Sequence, residues 1–189
     1  MSIAVWYLMR ASGVVSLLLL TLVSALGIAT VSRWRPGRLP RFVTLGLHRN
    51  VSLLAVAFLS VHVVTAIADP YAYVSLVSVV VPAPSDRYGL WLGLAAVAFD
   101  IIAALVITSA LRGRIAPRAW RAVHLTAYVA WPVALLHGAG MGSDAGSPWL
   151  LAVDAACVAL FATAVALRLL MAPSGAAKHV SPPSLRTAP

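Results

Sequence analysis

Residues 45–68 read LGLHRNVSLLAVAFLSVHVVTAIA, and from Val51 to Ala68 no Arg, Lys, Asp or Glu interrupts them. A helix needs about 20 such residues to cross a hydrocarbon core of about 30 Å. The stretch 48–68 is therefore a membrane span. Working outward, the same pattern recurs at about 8–31, 89–111, 121–140 and 148–171. With 61% hydrophobic residues in a chain of 189, the composition lies outside the range of water-soluble domains. The reading is an all-α integral membrane bundle of five transmembrane helices. Residues 1–171 form one membrane domain. Residues 172–189, rich in Pro, Ser and Ala, form a disordered cytoplasmic tail.

The charges fix an orientation. The net charge is +9, with five acidic residues, all Asp. In a soluble protein that balance points to nucleic acid; here the basic residues flank spans, so no nucleic-acid partner is expected and the partner is membrane lipid. Arg33, Arg35, Arg38, Arg41 and Arg49 follow the first span, and Arg112, Arg114, Arg118 and Arg121 follow the third. Arg168, Lys178 and Arg186 close the chain. By the positive-inside rule the N-terminus is outside, both Arg-rich loops and the C-terminus are cytoplasmic, and Asp69, Asp86 and Asp144 lie in outer loops of a cell-membrane protein. Cys157 is the only cysteine, which excludes an internal disulfide, an iron–sulfur cluster and covalent attachment of a haem through Cys-x-x-Cys-His. It reads as a small buried apolar residue. The segment Tyr71–Val81, bounded by Pro70 and by Pro82 and Pro84, is apolar but too short to cross and is expected at the outer interface.

Four of the five histidines fall in two spans: His48 and His62 in the second, His124 and His137 in the fourth, HLTAYVAWPVALLH. Imidazoles in a bilayer are costly unless each finds a partner, so they mark a functional site. The two spans are parallel. At 1.5 Å rise per residue, spacings of fourteen and thirteen place each pair's members roughly 20 Å apart along the normal. His48 can face His124 near the inner surface and His62 can face His137 near the outer. Each pair is then the axial ligand set of a flat cofactor with iron at its centre, two haems b in all. Helical phase agrees for fourteen residues and is off by roughly 140° for thirteen, with Pro132 between that pair as a source of local unwinding. His179 lies in the tail, with no role expected.

These spacings on helices separated by one span resemble the ferric reductase-like transmembrane domain. That family includes ferric-chelate reductases, NADPH oxidases and the haem subunit of bacterial methionine sulfoxide reductase systems. The resemblance covers roughly residues 40–172. It implies two non-covalent haems, held by His48 and His124 on the inner side and His62 and His137 on the outer. It also implies electron transfer across the membrane. The oxidases carry six spans and continue into a flavin and nicotinamide domain; here there are five, and no nucleotide-binding Gly-x-Gly-x-x-Gly loop occurs. The expected donor is therefore a cytoplasmic flavoprotein reductase or a quinol, and the acceptor an outer protein or small molecule.

Arg49, Arg118 and Arg121 are candidates to bind the propionates of the inner haem. Trp131 and Tyr128 lie between the two levels, where helix packing is the first account of them. Asp154 is placed at the depth of Arg10 as its ion-pair partner, and Asp100 stands mid-span without an assigned role. The competing function is a transition-metal transporter with a histidine pathway, for which ligands would cluster at one depth instead of dividing between two.

Overall fold

The computed structural model of the chain describes residues 3–31, 40–72, 74–82, 89–141 and 144–170. These contain seven helices: α1 (Ile3–Val31), α2 (Arg41–Ala68), α3 (Leu76–Val80), α4 (Gly89–Ala110), α5 (Pro117–Leu125), α6 (Ala127–Gly140) and α7 (Pro148–Leu170). Five stretches are long and apolar enough to cross a membrane, the fourth made of α5 and α6 together. The chain is a multi-pass integral membrane protein. The first, second and fourth crossings start earlier than the hydropathy reading places them. Pro40 caps α2 in extended conformation and Pro117 opens α5 at its first turn, where a missing N–H costs nothing. Arg33, Arg35, Arg38, Asp86, Lys178, His179 and Arg186, with the whole proposed tail, lie outside the described residues.

Large apolar side chains point outward along the helices, including Leu53, Val64, Leu90 and Leu170, as lipid-facing surfaces require. The interior uses small and hydroxylated residues. On α1, Ser12, Ser16 and Thr21 are nearly inaccessible, and each hydroxyl donates to the carbonyl four residues earlier, at 2.6 to 2.8 Å. Such back-bonding satisfies a polar group where no water can, and the small side chains let neighbouring helices approach. Accordingly α1 is the central helix, packed against α2, α6 and α7, and antiparallel to α2. Leu17, Trp131 and Cys157 form the buried centre, with Phe161 stacked on Trp131 at 4.1 Å between ring centroids. Trp131 also donates its indole N–H to Thr21 Oγ1 at 2.8 Å, so packing accounts for it.

The segment expected at the interface contains α3, which Ser75 and Ser78 start with a reciprocal capping box. It packs against α4 while Leu76 and Val77 stay exposed. Asp69 ends α2 and accepts from the Tyr71 N–H at 2.9 Å.

The fourth crossing is broken, and not at the proline. Pro132 sits inside α6. The interruption is at Thr126, whose N–H bonds the Val123 carbonyl three residues back and whose own carbonyl is shared between the N–H groups of Val129, three residues on, and Ala130, four residues on. That tighter winding ends α5 and starts α6 as a separate helix. It removes the assumption of one straight helix on which the 140° phase error between His124 and His137 rests.

Candidate functional site

Among its neighbours α2 packs closely along α1 alone, whereas α6 packs along α4 and α1. The histidines face each other across the space this leaves between α2 and the α5–α6 crossing. His48 and His124 have ring centroids 6.3 Å apart, and His62 and His137 6.4 Å apart, each with 67° between ring planes. An imidazole nitrogen lies about 1.1 Å from its ring centroid and a metal–nitrogen bond is about 2.0 Å, so two imidazoles on opposite sides of one metal would have centroids about 6.2 Å apart. Both separations match that value.

Three of the four rings are oriented by the backbone. His62 Nδ1 lies 2.8 Å from the Met9 carbonyl, His48 Nδ1 3.1 Å from that of Val23, and His137 Nδ1 2.9 Å from that of Trp91. A carbonyl only accepts, so in each case Nδ1 donates its proton and Nε2 keeps its lone pair for a metal. His124 differs: its Nδ1 is buried without a partner among the described residues. Its ring instead stacks on Trp120 at 4.6 Å and 20°, and the Arg112 guanidinium lies over the other aromatic at 4.2 Å from the Trp120 centroid.

At the His62 level a cavity of ≈ 370 Å³ opens between the helices, lined by His62, Gly13, Ala96, Gly138, Arg10 and Asp154 among others. Small side chains on α1, α4 and α6 leave a broad, mostly apolar space beside His62, of the kind a flat hydrophobic group would need. Among the described residues, no three or more His, Cys, Asp or Glu side chains gather as a metal-ion cluster. The histidines divide two and two by depth.

The remaining expectations meet mixed outcomes. Arg49, Arg118 and Arg121 are exposed near the His48–His124 end, and none is brought onto a histidine; Arg112, which the spacing argument passes over, stands closest through Trp120. Arg10 does not pair with Asp154. Its Nε donates to Asp144 Oδ2 at 2.6 Å, both side chains partly buried. A long Arg side chain reaches toward the interface, where the loop before α7 offers a solvated carboxylate, and a partner deeper in the span would require both charges to stay desolvated. Asp154 Oδ1 is left buried on the cavity wall without a hydrogen bond among the described residues. Asp100 is exposed at the middle of α4. Tyr128 lies edge-on to Phe161 and accepts from Arg168.

Sequence reasoning also passes over α1. A methyl at Gly13 would lie 2.9 Å from His62 ring atoms, and one at Gly27 3.3 Å from the His48 ring. Their spacing of fourteen repeats that of the two histidines, which is the signal available in the sequence.

The family model for the ferric reductase like transmembrane component matches residues 12–135. The match begins inside α1, well before residue 40, takes in His48, His62 and His124, and stops two residues short of His137. No curated protein and no solved structure matches the chain. Since the matched stretch is more than half of the sequence, the chain belongs to the family of ferric reductase-like transmembrane components.

Proposed function

We propose that this chain is the di-haem b subunit of a membrane oxidoreductase, carrying single electrons from a cytoplasmic donor to an outer acceptor. Family membership supports the membrane oxidoreductase haem subunit. The observation that carries the finer reading is the pair of matched histidine separations, 6.3 and 6.4 Å, at two depths of one bundle.

In this reading His48 and His124 hold the inner haem and His62 and His137 the outer. Each haem, when bound, supplies a ferric/ferrous couple whose potential is set by its axial ligands and its surroundings. The protein's part is orientation and insulation. Carbonyls of Met9, Val23 and Trp91 fix which ring nitrogen faces the metal. Trp131, buried, and Phe161, partly buried and stacked on it, fill the centre of the bundle. Arg112 and the exposed Arg49, Arg118 and Arg121 supply positive charge toward the inner pair, suited to propionates and to docking an acidic flavoprotein; a quinol is the other donor class. Arg10, on the cavity wall, supplies the same charge at the outer pair.

Purified protein should show sharp b-type absorption bands on reduction with dithionite, at two haems per chain. A colourless preparation from haem-replete cells would overturn the reading.

A further inference from the structure

On the reading of the histidines as haem ligands, we infer that Gly13 and Gly27 of α1 are positioning residues that set the ring orientation of His62 and His48. Helix side chains tilt toward the N-terminus, so the residue at i+4 covers the carbonyl of residue i. That carbonyl has a second lone pair beyond its helical hydrogen bond, but it is normally shielded. Gly13 uncovers the Met9 carbonyl and Gly27 uncovers the Val23 carbonyl, and these two oxygens bond His62 and His48 at 2.8 and 3.1 Å.

The two sites are copies of one device. Gly13 lies four residues after Met9 and Gly27 four after Val23, and the fourteen-residue offset between them equals that between the histidines on the antiparallel α2. The third carbonyl-bound ligand follows the same rule: four residues after Trp91 stands Ala95, next smallest to glycine. Gly46, Gly93, Gly138 and Gly140, also helical, do not touch a histidine: a methyl at Gly140 would meet the Trp91 ring and one at Gly138 nothing within 4 Å. A methyl at Gly46 or Gly93 would meet nothing within 4 Å.

A methyl at Gly13 would stand 2.9 Å from atoms of the imidazole, closer than packed atoms allow, so the ring must turn off the carbonyl. Losing that bond lowers the basicity of the ligand. A less basic ligand stabilises ferric iron less, so the midpoint potential of that haem rises. The clearance at Gly27 is larger, and the effect there is the milder one.

The test is haem content and potentiometric titration of full-length Gly13→Ala and Gly27→Ala proteins, with Gly46→Ala and Gly93→Ala as controls. Gly13→Ala should weaken binding of the haem that His62→Ala also removes by 10- to 100-fold, the range for loss of an outer-shell partner, or raise its potential if retained. Gly27→Ala should shift only the other haem, by less, and the controls neither. Unchanged content and potential in both variants, or equal loss of both haems from each, would overturn the assignment. If the unmutated chain bound no haem, the ligand reading itself would fail, independently of any glycine.

Discussion

At the scale of single residues, the histidines were legible and their supports were not. An imidazole in an apolar helix stands out because burial is costly, so four of them pick themselves out of any span. The groups against them are backbone carbonyls, which leave no mark in a sequence, and two glycines whose only signal is their spacing of fourteen. Depth pairing makes the first prediction. His62→Ala or His137→Ala should remove one haem and leave most of the other, and His48→Ala or His124→Ala should do the reverse, read as haem per chain; loss of the same haem from His48 and His62 variants would contradict the pairing. The second concerns His124, whose Nδ1 has no acceptor among the described residues and whose ring rests on Trp120. An aromatic stack is worth about 0.5–1.5 kcal/mol beyond area burial. Trp120→Leu should therefore weaken the His48–His124 haem by roughly two- to tenfold, with Trp120→Phe recovering most of it, measured by competition with an apo-haem scavenger. Asp100, exposed on α4, should be replaceable by Asn with both haems retained.

At the scale of elements, hydropathy located all five crossings, because a lipid-exposed helix is apolar on every side and needs no periodicity to be seen. Boundaries moved where prolines start helices outside the apolar run. The sequence offers Pro132 as a source of local unwinding, and the break lies instead at Thr126: proline announces itself, whereas a single turn of tighter winding depends on which carbonyl its neighbours choose. The two explanations separate experimentally. Pro132→Ala should leave His137 in place, since α6 runs through residue 132 without interruption. Its haem bands should be unchanged in position and at least 80–100% of wild-type amplitude as a rough bound, any stability gain staying under about 3 kcal/mol, the helix-interior penalty of proline. Selective loss of the His62–His137 haem would return the proline to the role the sequence suggested. The centrality of α1 is likewise hard to read, since it meets the histidines through Gly13 and Gly27 and its buried serines bond their own helix.

At the scale of the whole molecule, the two histidine pairs divide the membrane. With levels roughly 20 Å apart in a core of about 30 Å, they span about two thirds of it. One electron crossing the full potential changes energy by about 2.3 kcal/mol per 100 mV, so moving between the levels is worth about 1.5 kcal/mol, slightly more than tenfold in the equilibrium between the haems. This gives a measurement of depth that requires neither donor nor acceptor. In sealed vesicles holding half-reduced protein in one orientation, a diffusion potential of 100 mV set by valinomycin and a potassium gradient should move reduction toward the haem on the positive side. The bands lost in His62→Ala identify which haem that is. With the Arg-rich loops facing a negative interior, the field drives electrons from the His48–His124 level to the His62–His137 level, the direction proposed for the reaction. Reversing the gradient should reverse the shift. A distribution that ignores the potential would place both haems at one depth, which four histidines spaced fourteen and thirteen residues apart on parallel crossings do not permit.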